Sequence, residues 1–138
     1  MPEALPLSAE HELRRLLDCM AALRNPSTGC PWDCQQTFET IAPYTVEEAY
    51  EVADAIARQD LAALPDELGD LLFQVVYHSR MAEEAGHFDF AVVARAITDK
   101  MIRRHPHVFG PDAAGNAAAA KGRWDAIKAE ERAGKAAR

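Results

Sequence analysis

Four carboxylates fall in two helical pairs near the middle of the chain. Glu48 and Glu51 lie in TVEEAYEVADAI, and Glu67 and Asp70 in PDELGDLLFQVV. A spacing of three puts both members of a pair on nearly the same face of a helix. Val52, Ile56, Leu68, Leu71, Leu72, Val75 and Val76 surround them and read as core, where an unpaired charge is costly. Glu47 adds a further negative charge four residues before Glu51, and no basic neighbour on that face relieves the repulsion. Two such pairs facing each other across a helical hairpin offer oxygen ligands to a hard cation, Mg²⁺ or Mn²⁺. That chemistry is metal-assisted work on phosphates.

Other metals fit less well. Di-iron and di-manganese bundles place Glu-x-x-His motifs on two helices. This chain has only Glu84 and His87 at that spacing, interrupted by Gly86. Cys30 and Cys34 have no histidine nearby to complete a zinc site.

The elements that must hold these residues are helices. Ser8 is placed to cap a first helix carrying Leu13, Leu16, Leu17, Met20 and Leu23, which stops near Arg24 ahead of Asn25-Pro26. NPSTGCPWD reads as a loop. A second helix runs from about Thr37 or Pro43 to Ala57. A third begins near Leu64, with Pro65 in its first turn, and ends at Gly86. A fourth fits FDFAVVARAITDKMIRR, ended by His105-Pro106. PDAAGNAAAAKG reads as a mobile connection or, through its alanines, as an extension of a helix, RWDAIKAEERA as a short last helix and GKAAR as a loose tail. With no strand pattern, the expected class is all-α, built on a four-helix bundle with a short C-terminal helix. The expected layout is a flexible N-terminus (residues 1–7), a single domain (8–132) and a flexible tail (133–138).

Composition narrows the partners. A chain of 138 residues with 49% hydrophobic content has room for one core. A formal net charge of −7 argues against a nucleic-acid surface. It leaves open a small anionic substrate, because a bound cation reverses the local sign. Three cysteines do not make a disulfide framework, and neither a signal pattern nor a membrane-length apolar run is present. A cytoplasmic protein with reduced thiols is expected.

The order of these motifs resembles one family. Glu47-Glu48-x-x-Glu51 followed by Glu67-x-x-Asp70 is similar to the acidic signature of the MazG nucleoside triphosphate pyrophosphohydrolases. CPWD before it, and RRHPHVFG and the Trp124-to-Lys128 helix after it, resemble further family motifs, so the likeness spans about residues 12–132. The resemblance implies an all-α fold completed by pairing helices of two subunits into a homodimer, with a tetramer left open. It implies Mg²⁺-dependent hydrolysis of a (d)NTP to monophosphate and pyrophosphate, as in house-cleaning of nucleotide pools. By motif position, Glu48, Glu51, Glu67 and Asp70 would ligate metal. Glu47, with Glu48 and Glu51, would make up the catalytic carboxylates. Lys100, Arg104, Trp124 and Lys128 would bind substrate, the cations on phosphates and the indole near the nucleotide. Trp32, in the loop, is a further candidate for a pocket wall. Competing expectations are a specialised dUTP or dCTP pyrophosphatase, a phosphoribosyl-ATP pyrophosphohydrolase, and a non-catalytic helical protein that merely binds Mg²⁺.

Overall fold

The computed structural model describes residues 7–111 and 115–137. Among them are seven helices and no strand: α1 (Ala9–Leu23), α2 (Pro31–Cys34), α3 (Phe38–Ala57), α4 (Leu64–Glu84), α5 (Phe90–Arg104), α6 (Pro106–Phe109) and α7 (Ala117–Ala136). The all-α class is as expected. They form two compact units, one ending at Phe90 and the other beginning at Ala91.

Local chemistry sets the helix ends. The Ser8 hydroxyl accepts from the His11 N–H and opens α1. Thr37 and Thr40 cap α3 reciprocally, each side chain accepting from the other's backbone N–H. Helix α3 therefore starts at Phe38 and carries Pro43 inside it, where the missing N–H leaves one carbonyl without its helical donor. Pro65 sits in the first turn of α4, where it costs no hydrogen bond. Gly86, at φ 79°, closes α4 with His87 N–H donating to the Ala82 carbonyl and its own N–H to Glu83.

In the first unit α4 packs against both α3 and α1. Met20, Ile41, Val76, Tyr77 and Met81 form the core, with Leu16, Leu17, Phe73 and Phe90 against it. The apolar stripe beside the acidic pairs departs from expectation. Val76 is buried, but Ile56, Leu68, Leu72 and Val75 are exposed. Helix α4 has apolar residues on more than one face, and within one chain only the face carrying Val76, Tyr77 and Met81 is covered.

Two loop expectations also change. The segment after α1 contains the single turn α2, which carries Trp32 and Asp33. The last helix is not short. Asn116 accepts from the Ala119 N–H at 2.9 Å and starts α7 at the alanine run, which is continuous to Ala136. Alanine has the highest helix propensity, so a run that reads as low complexity extends the helix instead of linking to it. Helix α7 thus takes in residues 133–136 of the expected tail, while residues 1–6 and 138 lie outside the described residues.

Candidate functional site

Helices α3 and α4 are joined by a tight reversal over residues 58–63 and pack side by side, so the acidic motif of one helix meets that of the other. Glu48, Glu67 and Asp70 each bring a carboxylate oxygen within 4.8 Å of the others. Glu48 and Glu67 are half-buried and Asp70 is exposed. Burial pushes the Glu48 carboxyl above the usual range, and the charges of Asp70, Glu47, Glu67 and Glu51 push the same way. The Glu67 carboxyl is raised by burial, then by Glu51, Asp70 and Asp66, with Arg58 opposing. Glu51 and Glu47 stand outside the three-oxygen group and are exposed, yet close enough to repel it. Converging oxygens that repel one another fit a hard divalent cation, which would take the place of the missing counter-charge.

Trp32 is half exposed and meets the Tyr44 ring edge-on, with centroids 6.1 Å apart. It is not a core plug. Tyr44 lies one helical turn before Glu48 on α3, so an open aromatic pair adjoins the acidic group. The turn under Trp32 is firmly held. Arg24 donates from Nη1 to the Asp33 and Gln36 carbonyls at 2.6 and 3.1 Å, and its Nη2 pairs with Glu84 at 2.5 Å. The Tyr77 hydroxyl donates to Asp33 Oδ1 at 2.8 Å. Gly29 lies so close to the end of α1 that a Cβ there would collide with the Leu23 carbonyl oxygen. His78 packs flat on Phe38, and its Nε2 lies 2.9 Å from the Thr45 hydroxyl. Burial pushes its pKa down, which suits a packing role.

The second unit carries the remaining candidates. The Arg104 guanidinium lies over the Trp124 ring, 4.9 Å from its centre. Lys100, one turn before Arg104, and Lys128, one turn after Trp124, are half-buried. His105, Ala120, Lys121 and Trp124 line a cleft of about 280 Å³. Arg104 is not a free cation, because Glu131 holds it at 2.6 Å. Glu131 was not among the sequence candidates, and neither were Arg24, Tyr77 and Glu84. Only spatial proximity across 27 or more residues reveals them.

The chain is similar to proteins of one family. A MazG nucleotide pyrophosphohydrolase domain matches residues 36–109, which contain the whole acidic group. The chain is 58% identical over 126 residues to a nucleoside triphosphate pyrophosphohydrolase of Escherichia coli, covering 91% of this chain and 48% of that protein. It is 44% identical over 117 residues to the nucleoside triphosphate pyrophosphohydrolase/pyrophosphatase MazG of Thermotoga maritima, covering 85% and 44%. The chain thus spans about half the length of these relatives. A crystal structure of a MazG-related protein from Thermotoga maritima superposes with a TM-score of 0.68 at 28% identity, covering 83% of this chain and 97% of that one.

Proposed function

The chain belongs to the MazG nucleotide pyrophosphohydrolase family, and we propose that it hydrolyses (d)NTPs between the α and β phosphates, releasing monophosphate and pyrophosphate. The convergence of Glu48, Glu67 and Asp70 is the observation that carries this reading. These three would hold the cation, with Glu51 as a further ligand. When bound, Mg²⁺ there would supply the positive charge that lets triphosphate oxygens approach an acidic site and stabilises charge developing at the α-phosphate.

The protein's own groups do the rest. Glu47, exposed beside Glu48, would accept the proton of the attacking water on an Oε. The water oxygen joins the α-phosphorus while the bond to the bridging oxygen breaks. Trp32 and Tyr44 offer aromatic surface one turn from Glu48. In the second unit Lys100, Lys128, Arg104 and Trp124 provide cations and an indole of the kind that takes a nucleotide.

The same reading places the enzyme in the cytoplasm as a pool-cleaning hydrolase. No helix among the described residues is long and apolar enough to cross a membrane. It also makes the enzyme a homodimer or a higher assembly of dimers. Leu68, Leu72 and Val75 recur at four and three residues along α4 and stay exposed, as does Ile56 on α3. A second copy would remove that apolar surface from water.

The test is turnover of the eight common NTPs and dNTPs with Mg²⁺, products resolved by chromatography, for wild type and Glu48→Ala. Monophosphate plus pyrophosphate, lost in the variant, is the expected result. Diphosphate plus orthophosphate would mean that a different bond is cut. Turnover of dUTP or dCTP alone would identify a specialised enzyme.

A further inference from the structure

One carboxylate in the second unit grips two guanidiniums. Glu131 Oε2 accepts from Arg104 Nη2 at 2.6 Å and from Arg104 Nε at 3.2 Å, and Oε1 accepts from Arg103 Nε at 2.7 Å. The Arg104 side chain is only 13% exposed and that of Glu131 20%, so this pair is shielded from water more than an ordinary surface pair. The two arginines hold the Glu131 carboxyl far below the usual range, at about 2, so the clamp stays charged at any working pH.

The clamp acts on an aromatic ring. Arg104 lies across the Trp124 indole, and the His105 ring approaches that indole at 5.2 Å. His105 is itself fixed, because its Nδ1–H donates to the Met101 carbonyl at 2.6 Å. Trp124 and Glu131 are seven residues apart on α7, two helical turns, which puts both on the side facing Arg104. Two of the five N–H donors of Arg104 are spent on Glu131 and its face is spent on Trp124. Lysine has neither the fork nor the plane to do both. The clamp leaves three N–H donors of Arg104, so a phosphate could reach it only along the edge that Glu131 does not cover. Lys100 and Lys128 are not held in such a clamp, although the Lys128 charge lowers the Asp125 pKa, so they are the more available phosphate ligands.

We propose that Glu131 is a positioning residue for nucleotide binding: by clamping Arg104 across Trp124 it holds the indole in one orientation for the base, and Arg104 acts through Trp124 while Lys100 and Lys128 meet the phosphates. This rests on the nucleotide-hydrolase reading above.

The experiment compares wild type, Glu131→Gln and Arg103→Ala for kcat and KM on the best NTP substrate with Mg²⁺. Tm is measured alongside, as is Trp124 fluorescence in a Trp32→Phe background. Glu131→Gln keeps the side-chain size but loses the charge that holds Arg104. Its KM should rise about tenfold with kcat within about threefold, the size expected when a cation–aromatic contact loosens. Its Trp124 emission should shift to the red. Arg103→Ala breaks an ion pair to the same carboxylate but leaves the clamp, so its KM should stay near wild type. An unchanged KM in Glu131→Gln with a lowered Tm would make Glu131 a structural strut and overturn the proposal. A lowered KM would make Glu131 a competitor of phosphate and also overturn it. Failure of wild type to turn over any NTP would sink the hydrolase reading. Binding of an α,β-methylene NTP, followed at Trp124, would then decide the clamp. Equal affinity in wild type and Glu131→Gln, or no binding to either, overturns it, and weaker binding to the variant sustains it.

Discussion

The Tyr77 hydroxyl donates to Asp33 Oδ1 at 2.8 Å across 44 residues of sequence, and so ties the turn that carries Trp32 to the most buried part of α4. The same hydroxyl lies 3.1 Å from the Asp33 carbonyl, which also accepts from Arg24. Burial pushes the Tyr77 pKa well above its ordinary value, and the neighbouring Asp33 adds to the rise, so the phenol remains a donor. Its ring packs edge-on against Phe73 in the core.

Tyr77→Phe separates these two roles. The ring stays, while the charged Asp33 acceptor loses its donor. A hydrogen bond to a charged group contributes about 1.5–3 kcal/mol, so a loss of about 1.5–2 kcal/mol is expected by urea denaturation. Protease cleavage should rise in the 25–37 segment, which the loss would loosen. A loss below about 0.5 kcal/mol would show that Arg24 alone holds the turn.

The acidic group predicts opposite responses to protons and to metal. Glu48 and Glu67 have raised pKa values in the fold, so the folded state binds protons more tightly than the unfolded chain. Metal-free protein should therefore gain stability as pH falls from 7 toward the ordinary carboxylate range, and lose that gain as pH rises through the folded values. Glu67→Gln removes one charge and should raise the metal-free Tm by roughly 1–3 °C. Mg²⁺ should stabilise wild type by about 2.7 kcal/mol at a hundred times its Kd, and this should weaken as pH falls because protons compete. It should not stabilise Glu67→Gln. Equal Mg²⁺ shifts in both proteins by differential scanning fluorimetry would place the ion elsewhere.

The convergence of Glu48, Glu67 and Asp70 was legible because spacing on a helix is a local property and the α3–α4 reversal brings the two motifs together without long-range information, whereas Glu51 falls outside that group. Helix ends at Ser8, Thr37 and Gly86 were legible for the same reason, each being a cap made by neighbours in sequence. The burial of the apolar stripe was not. Leu68 and Val76 look alike in sequence, and only the packing of α4 against α1 and α3 decides which of them is covered. Glu131 was equally hidden. It reads as a solvated charge in KAEERA until α5 and α7 are folded, and then it meets two arginines 27 and 28 residues away. The alanine run before Lys121 was ambiguous because low complexity and high helix propensity coincide there, and the helix takes it in.

The reversal itself contains a strained residue. Gln59 has φ 56°, the left-handed region that favours glycine, and it closes α3 with its N–H on the Ile56 carbonyl and the Asp60 N–H on Ala55. The conformation is over-determined by its flanks. Arg58 pairs with Asp54 and Asp60, and Asp60 Oδ1 accepts from the Ala63 N–H at the start of α4. The Cβ of Gln59 costs about 1–2 kcal/mol in that region, part of which glycine would return as greater freedom of the unfolded chain. Gln59→Gly should therefore stabilise by about 0.5–1 kcal/mol, seen as a higher urea midpoint at unchanged slope. The backbone geometry is kept, so the distance between Glu48 and the α4 carboxylates is kept too, and Mg²⁺ affinity should match wild type. A lower midpoint would mean that the Gln59 side chain makes a stabilising contact worth more than the strain. A weaker Mg²⁺ affinity at a raised midpoint would mean that the strained turn itself holds α3 and α4 at the separation the carboxylates need.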